Sequence, residues 1–275
     1  VQQLMMVLST SYLLRPLIML VILSVCAGIV GTVVNLRAGE FRAEAMVHAV
    51  FPGIVGGFVA GGTDSIAWGA SVAALATAVA LTTGAKNHND VATAVVLTSF
   101  YSFGIVMSLY FADKSGQLEA LMFGRVLEMS TARMWQSVVI AAMGAVLVAA
   151  TWRDQIILAF DAASAKSLGV KVWRTDFALN LGIAAVVVAG AAVVGVLLVI
   201  GFVVVPAVTA RLCARGPVSM AVIAALVAVA GSVLGFWAML LETSRPISPQ
   251  AAITLAMLAV FAVVVTATEL RRAVK

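Results

Sequence analysis

Charge is scarce in this chain. Asp, Glu, Lys and Arg make up 11% of its 275 residues, while 63% are apolar and the mean hydropathy is +1.12. A soluble domain is about a quarter charged and nearer half apolar. No soluble fold of this length has the interior to hide so much apolar surface. An ordinary cytosolic enzyme, a disordered chain and a secreted disulfide scaffold are thereby excluded, and the bilayer is the remaining solvent. Cysteine is equally sparse. Cys26 and Cys213 lie in apolar runs without a C-x-x-C spacing, which leaves neither a disulfide framework nor a zinc pair. With only His48 and His88, a protease-type triad of metal ligands is hard to assemble. There is no nucleophilic-serine motif and no P-loop, so the chain does not bind ATP by that route.

Long apolar runs are what the sequence has in abundance. Stretches free of Asp, Glu, Lys and Arg cover Pro16–Leu36, Ala45–Gly61, Ser65–Ala85, Val91–Ala112, Met134–Trp152, Phe177–Ala210, Val218–Leu241 and Ile247–Thr268. A spanning helix needs about 20 residues. At about 1.5 Å per residue Phe177–Ala210 would reach roughly 50 Å, too long for one crossing. Gly190, Gly195 and Gly201 offer places to turn. Two spans, about 177–193 and 196–212, are expected there, with non-ideal helix near Pro206. The expected fold is an all-α polytopic membrane protein of eight to nine transmembrane helices, nine if that run divides, plus a short cytoplasmic helix. Residues 1–275 read as one domain without internal repeats. The first run is long enough to span, so it is not read as a cleavable signal peptide.

The net charge of +5 fits this picture without nucleic acid as a partner, because basic residues are retained on cytoplasmic loops. With nine spans and the N-terminus outside, only Arg15, Lys114, Arg125, Arg133 and Arg245 fall outside. The other twelve basic residues fall inside. Keeping 177–210 in one piece would move the last two basic clusters to the other side and weaken the bias. An outside N-terminus and a cytoplasmic C-terminus are therefore expected.

Two connections exceed a hairpin. Asp113–Arg133, expected outside, carries Leu118, Leu121, Met122, Val126 and Leu127 at helical spacing and reads as an interfacial segment. Residues 153–176, expected inside, contain Asp161-Ala-Ala-Ser-Ala-Lys166-Ser-Leu168-Gly169. That segment reads as one short helix with Asp161 as N-cap and Gly169 as C-cap, a docking element by shape. A structureless loop of helical composition is the alternative. Asp90 reads as a cap for the following span, and Glu119, Glu128 and Glu242 as scattered external charges.

Chemistry concentrates in Gly39-Glu-Phe-Arg-Ala-Glu44-Ala-Met-Val-His48-Ala-Val-Phe-Pro52-Gly53. Glu44 and His48, four apart, share one helix face. His48 is the one ionisable side chain within these runs, and such groups in a membrane usually face a pathway or a partner. Carboxylate plus imidazole suits a borderline divalent cation such as Zn²⁺ or Mn²⁺. Pro52-Gly53 would loosen the helix and free carbonyls at the same depth. The alternative is a Glu–His pair that merely joins two helices. Gly56, Gly57, Gly61 and Gly190 read as close-packing positions.

These residues resemble the permeases of bacterial ATP-binding-cassette importers for zinc, manganese and iron. That family carries G-D-A-L-S-H-A-V-L-P-G, matched here by Ala43-Glu44-Ala-Met-Val-His48-Ala-Val-Phe-Pro52-Gly53. Glu44 replaces the family's Asp, and Val47 its Ser. Val196 through Pro206-Ala-Val-Thr-Ala-Arg211-Leu is similar to a second family segment, and Phe160-Asp161 through Leu168-Gly169-Val170 to its coupling segment. The resemblance implies a dimeric permease in the bacterial cytoplasmic membrane, without a permanently bound cofactor. Mn²⁺ or Zn²⁺, with Fe²⁺ in the same class, would pass Glu44 and His48, with Pro52, Gly53 and Pro206 shaping the route. Two cytoplasmic ATPase subunits would dock on Asp161, Lys166, Leu168 and Gly169, and an extracellular or periplasmic metal-binding protein would deliver the ion. Coordination requires the neutral imidazole, so acidification opposes transport. A haem or chelate carrier, a secondary transporter or channel, and a membrane metalloenzyme are the alternatives.

Overall fold

The structure, a computed structural model, describes residues 11–84, 90–111, 130–240 and 248–273. All regular structure among them is helical. The helices are α1 (Ser11–Leu36), α2 (Glu40–Ala49), α3 (Phe51–Gly61), α4 (Ile66–Gly84), α5 (Asp90–Tyr110), α6 (Thr131–Ala150) and α7 (Trp152–Phe160). There follow α8 (Ala162–Ser167), α9 (Val172–Val193), α10 (Val196–Cys213), α11 (Pro217–Met239) and α12 (Pro249–Ala273). A single 3₁₀ turn, Gly62–Asp64, follows α3.

Among the described residues eight segments are long and apolar enough to cross a membrane, with α2 and α3 together forming one, Glu40–Asp64. The long run breaks where the glycines allow it, with α9 ending at Val193 and α10 starting at Val196. Gly195 supplies the left-handed conformation at the break, φ +98°. A Cβ built on Gly190 would lie 2.7 Å from the Val199 side chain. In one continuous helix those residues would be about 13 Å apart, so the chain doubles back. The start of α9 and the end of α10 meet at one end of the bundle, where Asp176 pairs with Arg37 and Arg211 donates to the Asn35 side chain. The shorter apolar helix of α10 thus adds a ninth pass to the eight among the described residues. It remains helical through Pro206, which is buried, so the irregularity expected there is absent.

Helix α1 lies at the centre, against α6, α9, α10 and α11. Met19, Leu20, Leu23, Val30 and Val33 are fully buried there. Water does not drive helices together inside a bilayer, so close approach at small residues does that work. Gly28 backs onto Ala225, Gly31 onto the Val203 carbonyl, and Gly144 onto the Gly182 backbone. On α3, Gly53 and Gly57 face Gly69 and Ser65 of the α4 region. The Ser24 and Ser232 hydroxyls join α1 to α11 at 2.8 Å. Helices α5 and α12 are peripheral, with most of their surface uncovered.

The sequence places Trp152 at the end of a span and residues 153–160 in the connection after it, whereas Trp152–Phe160 forms α7 directly after α6. Its charges Arg153 and Asp154 resemble loop residues, but Gln155 and Leu158 are buried. Asp90 is the first helical residue of α5. The amphipathic stretch Leu118–Leu127, together with His88, Glu119, Glu128 and Glu242, lies outside the described residues.

Candidate functional site

Helix α2 is ten residues, EFRAEAMVHA, packed on nearly every side. Arg42, Ala43, Ala45, Met46, Val47 and Ala49 are buried. What stays open is one face: a stripe of Glu40, Glu44 and His48 at four-residue spacing, with Phe41 half-buried beside them. Glu44 is exposed and His48 half-buried, and the structure places both on that shared face, as the spacing predicts. Measured along the helix from Glu40, Glu44 sits about 6 Å and His48 about 12 Å inward. The imidazole meets Tyr101 of α5 in a T-shaped contact, centroids 5.2 Å apart and planes at 73°. Tyr101 also touches Phe51, 6.0 Å away.

The bend between α2 and α3 follows from Pro52. Proline has no N–H, so the His48 carbonyl lacks a donor one turn on and meets the Val50 amide instead. The Val50 carbonyl is not freed; it accepts from Gly53 and Ile54 at 3.0 and 3.2 Å. Gly104 of α5 seats this bend, with no room for a Cβ beside Phe51 and Pro52. Gly53 serves packing, because a Cβ there would overlap the Gly69 carbonyl and lie 2.6 Å from the Ala73 Cβ.

Glu44 and His48 supply two donors from one chain. No group of three or more His, Cys, Asp or Glu side chains gathers among the described residues. Glu40, the nearest further carboxylate on the stripe, accepts from the Asn35 amide at 2.8 Å. Two donors hold a divalent ion only with ligands from elsewhere, since such ions take four or more.

The coupling segment has the caps its sequence announces. Asp161 accepts from the Ala163 and Ser164 amides at 2.9 and 3.1 Å and from the Ser164 hydroxyl. The Ser164 hydroxyl, then these amides, hold its carboxyl below the usual carboxylate range. At the other end the Val170 amide donates to the Ala165 carbonyl and the Gly169 amide to that of Lys166. This Schellman closure puts Gly169 at φ +80°. Only Ala165 of α8 is buried, while Lys166 and Leu168 face outward beside Phe160, 76% exposed.

Sequence reasoning missed the polar network at this end of the bundle. Arg37 counted as a loop cation, yet its side chain is 2% exposed, ion-paired with Asp176 and hydrogen-bonded to Gln155 Oε1 at 2.8 Å. These partners lie 118 and 139 residues away, beyond the reach of any local pattern.

Comparison with known proteins agrees with the resemblance. The profile of the ABC 3 transport family matches residues 9–267. The manganese transport system membrane protein MntC of Listeria monocytogenes is 29% identical over 232 residues, covering 82% of this chain and 81% of the relative. The chelated iron transport system membrane protein YfeD of Yersinia pestis is 28% identical over 227 residues, 82% of this chain and 75% of its own. Among solved structures, PsaBC from Streptococcus pneumoniae in complex with Fab superposes with a TM-score of 0.80 at 26% identity, over 94% of this chain and 92% of that one. With a matching helical bundle and a profile match over almost its whole length, the chain belongs to the ABC 3 transport family.

Proposed function

We propose that the chain is the membrane permease subunit of an ATP-driven importer, carrying a divalent transition-metal ion, Mn²⁺ or Zn²⁺, with Fe²⁺ in the same class. One observation carries this reading: an exposed carboxylate and a half-buried imidazole stand one turn apart on the only open face of α2, within a membrane-crossing segment. Ionisable side chains at such depth are too costly to face lipid and belong on a water-lined path. A second copy of the chain placed against that face closes the path and supplies further ligands. An ion moving inward meets His48, then Glu44, then the Glu40 end of the stripe. The longer Glu44 reaches further across the path than an aspartate would. The names of the relatives, manganese and chelated iron transport, support a metal cargo. The second of them favours a chelate as the alternative cargo.

The basic end of the bundle is the cytoplasmic side of the bacterial cytoplasmic membrane, which puts the N-terminus outside and the C-terminus inside. Two ATPase subunits dock there on α8, through Asp161, Lys166, Leu168 and Gly169, and perform the hydrolysis. An extracellular or periplasmic metal-binding protein presents the ion at the opposite end. The test is ATP-driven uptake of Mn²⁺ and Zn²⁺ into proteoliposomes holding the permease with its ATPase. Uptake that disappears in Glu44→Ala and in His48→Ala supports the reading. Uptake and metal-stimulated hydrolysis unchanged in both variants would defeat it.

A further inference from the structure

Helix α8 does not pack against α2, so movement at one needs a physical connection to reach the other. The structure contains such a connection. Gln155 of α7 is fully buried, and its amide group donates to the Thr175 carbonyl of α9 at 2.9 Å. Its Oε1 accepts from Arg37 at 2.8 Å, and the other arm of that guanidinium pairs with Asp176. Arg37 is the first residue after α1, three positions before α2 begins. The turn between them is tight: Gly39 donates to the Val34 carbonyl at 2.8 Å, and Ala38 is held at φ +47°, where alanine is rarely found. Asn35 before the turn and Glu40 after it are joined by a 2.8 Å hydrogen bond. The turn therefore has little freedom to absorb a displacement, and Glu44 lies one helical turn beyond Glu40.

We propose that Arg37 is a positioning residue for transport, linking α7, the helix directly before α8, to the α1–α2 turn, so that movement imposed at α8 shifts Glu44 and His48. This rests on the import reading above. A buried guanidinium suits the task because its fork reaches two acceptors on two helices at once. A lone brace between α1 and α9 would need only Asp176. The bond to Gln155 brings α7 into the same unit.

The experiment uses the permease with its ATPase subunits in proteoliposomes, reading Mn²⁺ uptake, ATP hydrolysis and their ratio. Gln155→Met removes the α7 contact and leaves the Arg37–Asp176 pair intact. The Arg37→Gln/Asp176→Asn double variant removes the charges together, leaving neither one buried alone. The expected result for both is normal co-purification of the ATPase, unchanged Mn²⁺ affinity and ions moved per ATP lowered about tenfold. Uptake and hydrolysis falling by the same factor would show a merely structural brace and overturn the proposal, as would an unchanged ratio. If the parent complex moves no metal with ATP, the import reading itself has failed and this inference falls with it. If the parent transports and the variants keep its ratio, only the link is refuted.

Discussion

Gly53 and Gly56 lie three residues apart on α3, yet alanine at the two positions should have opposite effects. A Cβ on Gly53 would overlap the Gly69 carbonyl and sit 2.6 Å from the Ala73 Cβ. Carbon atoms pack best at about 3.5 Å, so α3 would have to retreat from α4 by about 1 Å. Overpacking of this kind costs about 1–3 kcal/mol. The obstruction is backbone and a short side chain, neither of which can swing aside. A Cβ on Gly56 meets only the Met107 Cε, at 3.7 Å. There alanine gains about 0.5–1 kcal/mol by restricting the unfolded chain. Thermal unfolding of the purified permease in detergent, followed by size-exclusion fluorescence, reads both effects. Gly53→Ala should unfold at lower temperature and also lower metal uptake, because α3 joins the Pro52 bend beneath His48. Gly56→Ala should unfold at the parent's temperature or above it. A Gly53→Ala variant as stable as the parent, or equal damage from both, would refute the packing argument.

Three further outcomes are expected. Asp161→Ala should weaken co-purification with the ATPase, and Asp161→Ser should restore part of it. Because the folded carboxyl titrates below its unfolded value of about 4, its contribution is complete above that value and disappears only as pH falls through the lower folded one. Circular dichroism and limited proteolysis of the α7–α8 region should therefore hold steady until strongly acid pH, and loss at mildly acid pH would contradict the cap. Gly169→Ala should cost about 1 kcal/mol through its left-handed backbone, whereas Gly216→Ala, at an N-cap with an extended φ of −172° and open space around it, should cost less than that in the same unfolding assay. A double-mutant cycle on Ser24→Ala and Ser232→Ala should give a coupling of about 0.6 kcal/mol, and zero coupling would remove the α1–α11 hydrogen bond from the account.

Much of the bundle was legible because the bilayer imposes length and polarity on each pass. The hairpin break fell between Val193 and Val196 since an apolar run too long for one crossing has to turn, and Gly195 can adopt the required conformation. The capped helix at Asp161–Gly169 was equally local: a carboxylate at one end, a glycine at the other. What escaped was contact between distant residues. Arg37 looks like any loop cation, and nothing near it announces Gln155 or Asp176. Arg42 is likewise buried on the packed side of α2, though its sequence neighbourhood suggested a cytoplasmic loop. Tyr101, which no motif singles out, gains meaning only when α5 packs against α2 and α3. Gly53 beside Pro52 suggested a loosened helix, because sequence cannot show that Gly69 waits opposite.

Calorimetric titration of the detergent-purified permease with Mn²⁺ and Zn²⁺, run beside Glu44→Ala and His48→Ala, bears most directly on the metal pathway. Saturable binding in the parent, weakened at least about tenfold in each variant, or about 1.4 kcal/mol, is the predicted result. Variants that bind as the parent does, while remaining folded, would contradict it.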